Sequence, residues 1–293
     1  MNSQLSTELL KKKLLKAQVW EITEYHIYLR LSQRVKGSSN QKVLAEIAAD
    51  ELKHYHLWKK YTRQEPPPNK WRMWWYYAMA RIFGLTFGIK LMEKGERQAQ
   101  INYHRLSREL AEAKRVVKDE EKHERSLIAL LEEEKLSYIG SIVLGLNDAL
   151  VELTGVLAGL TLALQNTQLI AAVGIITGLA ASLSMAASEY LSKKADDGGK
   201  LPLTASLYTG IAYILTVIFL VMPYFILTNV YWALSWTILN ALIVIWVFTF
   251  YVSIAKNCSF KKKFLEMAVI SLGIAAISFG MGYLIRMYLG VEM

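Results

Sequence analysis

The hydrophobic pattern changes character near residue 137. Before it, apolar positions recur every three or four residues between charged ones, the period of amphipathic helices. Residues 8–36 carry Leu14, Leu15, Val19, Ile22, Tyr25 and Leu29 at that spacing and end at Gly37-Ser38-Ser39-Asn40. A second helix is expected over about 41–64, stopped by Glu65-Pro66-Pro67-Pro68, a third over about 91–114 and a fourth over about 115–135. No stretch alternates as a strand would, so this half reads as a four-helix bundle. From Ser137 on, the chain is apolar in five long segments, at about 139–164, 168–191, 203–228, 231–255 and 264–289. Each is long enough to cross a bilayer. The expected fold is all-α: a soluble bundle over 1–136 and a five-span membrane domain over 137–293.

Residues 70–90, KWRMWWYYAMARIFGLTFGIK, fit neither half cleanly. They are nearly long enough to span, but Arg81 and Lys90 interrupt them. We read them as an interfacial helix with Trp and Tyr at headgroup level.

Charge supports the two-part reading. The chain carries +9 overall, with 34 Lys and Arg against 25 Asp and Glu. From 137 on there are eight basic and seven acidic residues, so +8 belongs to the first half, which also holds all five histidines. A basic chain invites a nucleic-acid reading, but cytoplasmic segments of membrane proteins collect Lys and Arg anyway, and no nucleic-acid partner is expected. The connections SKKADDGGK (192–200) and AKNCSFKKK (255–263) carry Lys, whereas 165–167 and 227–229 carry none. This puts the N-terminal half and both Lys-bearing loops in the cytosol and the C-terminus outside, in the cell membrane. Arg286, near the outer end of the last span, is the one basic residue out of place. The N-terminus lacks a signal-peptide core, so the first span would serve as its own insertion signal. The single cysteine, Cys258, has no partner for an internal disulfide.

Two constellations carry chemistry. The first half holds Glu-x-x-His twice, Glu51/His54 and Glu120/His123. At i, i+3 a carboxylate and an imidazole share one helix face and can aim at one point. Bundles holding two irons use two such motifs and one inward glutamate from each remaining helix. Helix one offers Glu21 and Glu24, and helix three offers Glu93 and Glu96. Carboxylate with imidazole suits Fe or Mn rather than a soft metal. His26, His56 and His104 read as surface or supporting residues. In the second half, Asp148 and Glu152 share a face of span one, and Met185 and Glu189 share a face of span two, with Ser182 near them. Acids within a span are costly and mark an ion or proton path. Both spans also carry Gly-x-x-x-Gly (Gly155/Gly159 and Gly174/Gly178), which permits close helix approach.

Residues 10–135 resemble the rubrerythrin/ferritin-like di-iron family. That resemblance favours Glu21 over Glu24, through the aromatic Tyr28 seven residues on, and leaves Glu93 and Glu96 open. No Cys-x-x-Cys pair is present, which argues against a complete peroxide reductase. Residues 137–290 resemble the vacuolar iron transporter family, through LGLNDALVELTGVLAGL and SLSMAASEYLS. The resemblance implies a dimer that moves Fe²⁺, and often Mn²⁺, out of the cytosol in exchange for protons. It makes Asp148 and Met185 metal-path residues and places Glu189 in a Met-x-x-x-Glu-Tyr signature. The glutamate-rich insert of some relatives between spans two and three is replaced here by SKKADDGGKLP. The sequence therefore leads us to expect a metal exporter whose bundle captures or senses the ion. The alternative is a membrane-anchored di-iron oxidase or peroxidase; ferroxidase turnover is left open.

Overall fold

The computed structural model describes residues 2–35, 38–92, 94–95, 110, 112–130, 139–195 and 201–289. All regular structure among them is helical. The chain divides into two compact units, Met1–Glu133 and Glu134–Met293.

In the first unit, α1 (Asn2–Ser32) and α2 (Ser38–Thr62) pack antiparallel. Gln18 of α1 bonds Thr62 at the end of α2, and Glu21 bonds Trp58 one turn earlier. Arg63, at φ 55°, ends α2 in the left-handed region. After the prolines, Asn69 donates its amide to the Thr23 hydroxyl (3.0 Å) and caps α3 (Lys70–Phe83) by accepting from the Arg72 amide (3.1 Å). Gly84, at φ 97°, then breaks the chain, and residues 85–92 form a separate helix, α4.

This corrects the single aromatic helix expected over 70–90. Phe87, Ile89 and Met92 of α4 are core residues, whereas α3 exposes a row of tryptophans. A glycine turn divides a segment whose hydrophobicity looks continuous in sequence. The last described helix of the unit is α5 (Ala113–Leu130), which buries Val116, Glu120, His123 and Leu127 at helical spacing.

The first unit's core is split. One apolar cluster holds Ile27, Tyr28, Leu31, Leu44, Ile47, Met92 and Leu127. Another holds Leu14, Trp58, Ala113 and Val116. Between them on the same helix faces lie the buried polar residues Glu21, Glu51, His54, Glu120 and His123. A bundle gives up a core layer to ionisable groups only where something compensates their burial.

The described helices of the second unit are α6 (Ile139–Leu164), α7 (Thr167–Ala195), α8 (Pro202–Ile226), α9 (Val230–Ala255) and α10 (Phe260–Leu289). All five are long and apolar enough to cross a membrane. Their outward faces carry large apolar residues such as Ile176, Leu183, Leu215, Trp232 and Ile277, as lipid contact requires. Both glycine pairs are used within the chain. A Cβ at Gly178 would meet Val217 of α8, and one at Gly282 of α10 would overlap the Gly159 carbonyl. Pro223 cannot donate to the Phe219 carbonyl inside α8. Asn240 of α9 donates to that oxygen instead (2.8 Å), and Thr237 donates to the Leu220 carbonyl (2.9 Å).

Candidate metal centre and membrane acids

Glu21, Glu51, His54 and Glu120 are all buried, and one donor atom from each lies within 4.8 Å of the others. α1 supplies Glu21, α2 supplies Glu51 and His54, and α5 supplies Glu120. His54 Nδ1 lies 3.6 Å from Glu21 Oε2, 3.5 Å from Glu51 Oε2 and 3.6 Å from Glu120 Oε1. His123 Nδ1 lies 3.1 Å from Glu51 Oε1 and 3.9 Å from Glu120 Oε2. Glu51 and Glu120 therefore each face both imidazoles, as bridging carboxylates between two positions would.

The outer sides of the rings are held crosswise. His54 Nε2 is 3.4 Å from Asp119 Oδ2, and His123 Nε2 is 3.3 Å from Asp50 Oδ2. Each aspartate immediately precedes the glutamate of one motif and steadies the histidine of the other. A proton on Nε2 facing the aspartate leaves the Nδ1 lone pair pointing inward, the tautomer a metal ligand needs.

These residues fit a metal better than they fit each other. Glu51 Oε2, His54 Nδ1 and His123 Nδ1 are buried without a hydrogen-bond partner. Burial pushes the Glu51 carboxyl well above its usual range, with the Glu21 charge adding to it. Burial also raises Glu120, to about 8, reinforced by the charges of Glu51 and Glu21. Burial alone would lower His54, but the carboxylates of Glu120, Glu21 and Glu51 outweigh it and push it up. Crowded buried acids and inward imidazoles form a hard-donor set short of positive charge, which one or two divalent cations would supply.

Glu24 is buried one turn from Glu21 and is not one of the converging four. Glu93, Glu96 and His104 lie outside the described residues. His26 packs against Tyr25 and His56 against Tyr55, and neither is one of the converging four.

In the second unit, Asp148 is partly buried on α6, and Glu152, one turn on, is exposed on the single chain. The Tyr213 hydroxyl of α8 donates to Glu152 Oε2 at 2.8 Å. Met185 is partly buried against the unit's core. Glu189 is buried and accepts from the Ser141 hydroxyl at 2.5 Å, and Thr209 bonds the Ser141 carbonyl. Glu189 is thus tied inside the helix packing, a placement its sequence position does not reveal. Among the described residues, the one His, Cys, Asp and Glu cluster close enough to share an ion is that of the first unit.

Sequence reasoning missed Asp50, Asp119 and Tyr213. A signal for the aspartates was present: both motifs read Asp-Glu-x-x-His. Tyr213 needed the packing of α8 on α6.

Residues 139–198 match the model of the VIT family, which covers α6, α7 and the start of the connection beyond. No curated protein sequence matches the chain. The match supports a membrane domain of a metal-ion transporter family.

Proposed function

We propose that the protein exports Fe²⁺, with Mn²⁺ as a second cargo, from the cytosol across the cell membrane in exchange for protons. The observation that carries this reading is the VIT-family segment, because it holds Asp148, Glu152, Met185 and Glu189 within two spans. Carboxylates with a thioether suit a divalent ion shedding part of its water, and acids that exchange a metal for protons couple the two. A dimer with a cytosolic N-terminus and an outward C-terminus accords with the family resemblance and with the lysine-bearing loops.

The ferritin-like bundle captures or senses the ion. Glu21, Glu51, His54, Glu120 and His123, with Glu93 or Glu96 from the third helix, would hold Fe or Mn there. A metal pair, when bound, would supply reversible divalent binding and, for iron, redox capacity. The protein's own part is to keep both Nδ1 lone pairs inward and the carboxylates crowded. A cluster buried this way favours retaining the ion over releasing it to bulk water.

Fe²⁺ and Mn²⁺ flux in proteoliposomes under an imposed pH gradient tests the proposal. Wild type should carry flux. Asp148→Ala should abolish it while leaving metal binding by the bundle intact. Absence of flux in the wild type would overturn the proposal. A membrane-anchored oxidase would instead keep its function in Asp148→Ala and lose it in Glu51→Ala.

A further inference from the structure

One face of α3 is exposed and has an unusual composition. Trp71 is 67% exposed, Trp74 61%, Trp75 38% and Ile82 67%. Positions 71, 74, 75, 78 and 82 recur at the helical period, so these side chains form one stripe. Trp71 lies 5.7 Å from Trp74 and 6.3 Å from Trp75, ring centre to ring centre, making a continuous aromatic surface. The opposite face, with Met73, Tyr76, Tyr77 and Ala80, packs on the unit's core. Among the described residues of the first unit, Tyr61 is the only other exposed large apolar side chain. The stripe is therefore a concentrated patch, not ordinary scatter.

Its rim is basic. α3 contains Lys70, Arg72 and Arg81 and no acidic residue. Arg72 stacks on Trp20 at 4.3 Å, and Arg30 and Arg34 lie over the Tyr77 ring at 5.9 and 5.3 Å. The aromatic stripe thus sits beside fixed cations. At 14 residues, α3 is about 21 Å long, short of a bilayer's hydrocarbon core of roughly 30 Å. α4, the continuation of the same apolar stretch, is folded into the protein core. α3 can therefore lie along a bilayer but not cross it.

We infer that the exposed face of α3 docks on the membrane, its tryptophans at headgroup depth and its basic rim against anionic lipid phosphates. Tryptophan rings favour that depth because one part of the ring system is apolar and the indole N–H seeks a polar partner. Basic residues near an anionic leaflet are attracted to it. The same polypeptide carries five helices long and apolar enough to cross a membrane, which would keep a bilayer within reach. A second protein copy is the other occupant an aromatic stripe could take, and the test below separates the two. This inference is independent of the transport reading, because it concerns depth and not flux.

The test uses the full-length protein in phosphatidylcholine vesicles containing phosphatidylglycerol. A nitroxide is placed at Ala78→Cys, in the middle of the stripe, in a Cys258→Ser background. A control carries Glu46→Cys on the exposed side of α2. Power-saturation EPR then compares collision with oxygen, enriched in lipid, and with a water-soluble nickel chelate. Expected are oxygen-dominated collisions at position 78 and nickel-dominated collisions at position 46. Replacing Trp71, Trp74 and Trp75 together by Gln, all at the surface, should move the label at 78 toward water. Nickel-dominated collisions at 78 in the otherwise unchanged chain would overturn the inference. So would dipolar broadening at 78 that vanishes on dilution with unlabelled protein, because a second copy would then cover the face.

Discussion

Removing the metal should give the first unit an inverted pH profile. Glu120 in the fold keeps its proton up to about 8, whereas an unfolded glutamate loses it near 4.5. Between those values the native state binds more protons than the unfolded chain, so stability falls as pH rises. Glu51, also pushed up by burial, acts in the same sense. His54 does too: its folded value lies above 6.5, so the stability gained from its protonation is complete below 6.5 and is lost on going higher. For Glu120 alone, a window of about 3.5 pH units at 1.36 kcal/mol per unit sets a ceiling of about 5 kcal/mol. Even half of that would move a melting midpoint by roughly 10 °C in a unit of this size. Most proteins show the opposite trend between pH 5 and 7, because their carboxylates are stabilised in the charged form. The assay is thermal unfolding of chelator-treated protein in nanodiscs, at pH 5 to 8, with and without Mn²⁺. The first unit's transition is the one that Mn²⁺ moves. Without metal it should fall steadily with pH; saturating Mn²⁺ should reverse the slope, because the metal displaces the same protons. Glu120→Gln should flatten the metal-free profile. A metal-free transition that rises with pH, or is unaffected by Mn²⁺, would refute the picture of a buried acid layer waiting for cations.

Three further outcomes follow from particular contacts. Asp119→Asn, which weakens the hold on His54 Nε2, should reduce Mn²⁺ affinity about 10–100-fold with the helices intact, measured by EPR titration of free Mn²⁺. Tyr213→Phe removes the hydroxyl that steadies Glu152; it should raise the half-saturating metal concentration for flux about tenfold, and little more in combination with Glu152→Gln, since both changes remove one interaction. Asn240→Leu strands the Phe219 carbonyl freed by Pro223 and should cost the second unit about 1–3 kcal/mol, read as a lower midpoint of its thermal transition in detergent.

Much of the architecture was legible because membrane and bundle helices obey strong local rules. The last four spans begin at Thr167, Pro202, Val230 and Phe260, each within a few residues of where hydropathy and the lysine-bearing loops put them. The pairing of Glu51 with His54, and of Glu120 with His123, follows from helical spacing alone. What could not be read depended on contacts distant in sequence. The crossed aspartates join positions 65 and 73 residues apart. The Ser141 hydroxyl that holds Glu189 comes from a different helix. The turn at Gly84 could not be read, because a single residue in the left-handed region turns the chain without changing its hydropathy. The glycine pairs in α6 and α7 gave no hint of their partners, which turn out to be α10 and α8.

The two sets of acids differ in a way that bears on how an ion would be handed on. In the first unit, several donors converge, are buried, and have their imidazoles fixed from behind by aspartates. Little reorganisation is needed to bind there, and an ion that leaves must be replaced by protons on the buried carboxylates. In the second unit, Glu152 has one oxygen held by Tyr213 and is otherwise exposed, while Asp148 is only partly covered. Donors this sparse bind weakly, and weak binding is what passage requires: an ion must enter readily and leave again. On the transport reading, the bundle is suited to hold or report the ion and the spans to move it. The inverted pH profile should then belong to the first unit alone, and Asp148→Ala should leave it unchanged. If Asp148→Ala altered that profile, the two sets of acids would be one coupled site, and this division of labour would be wrong.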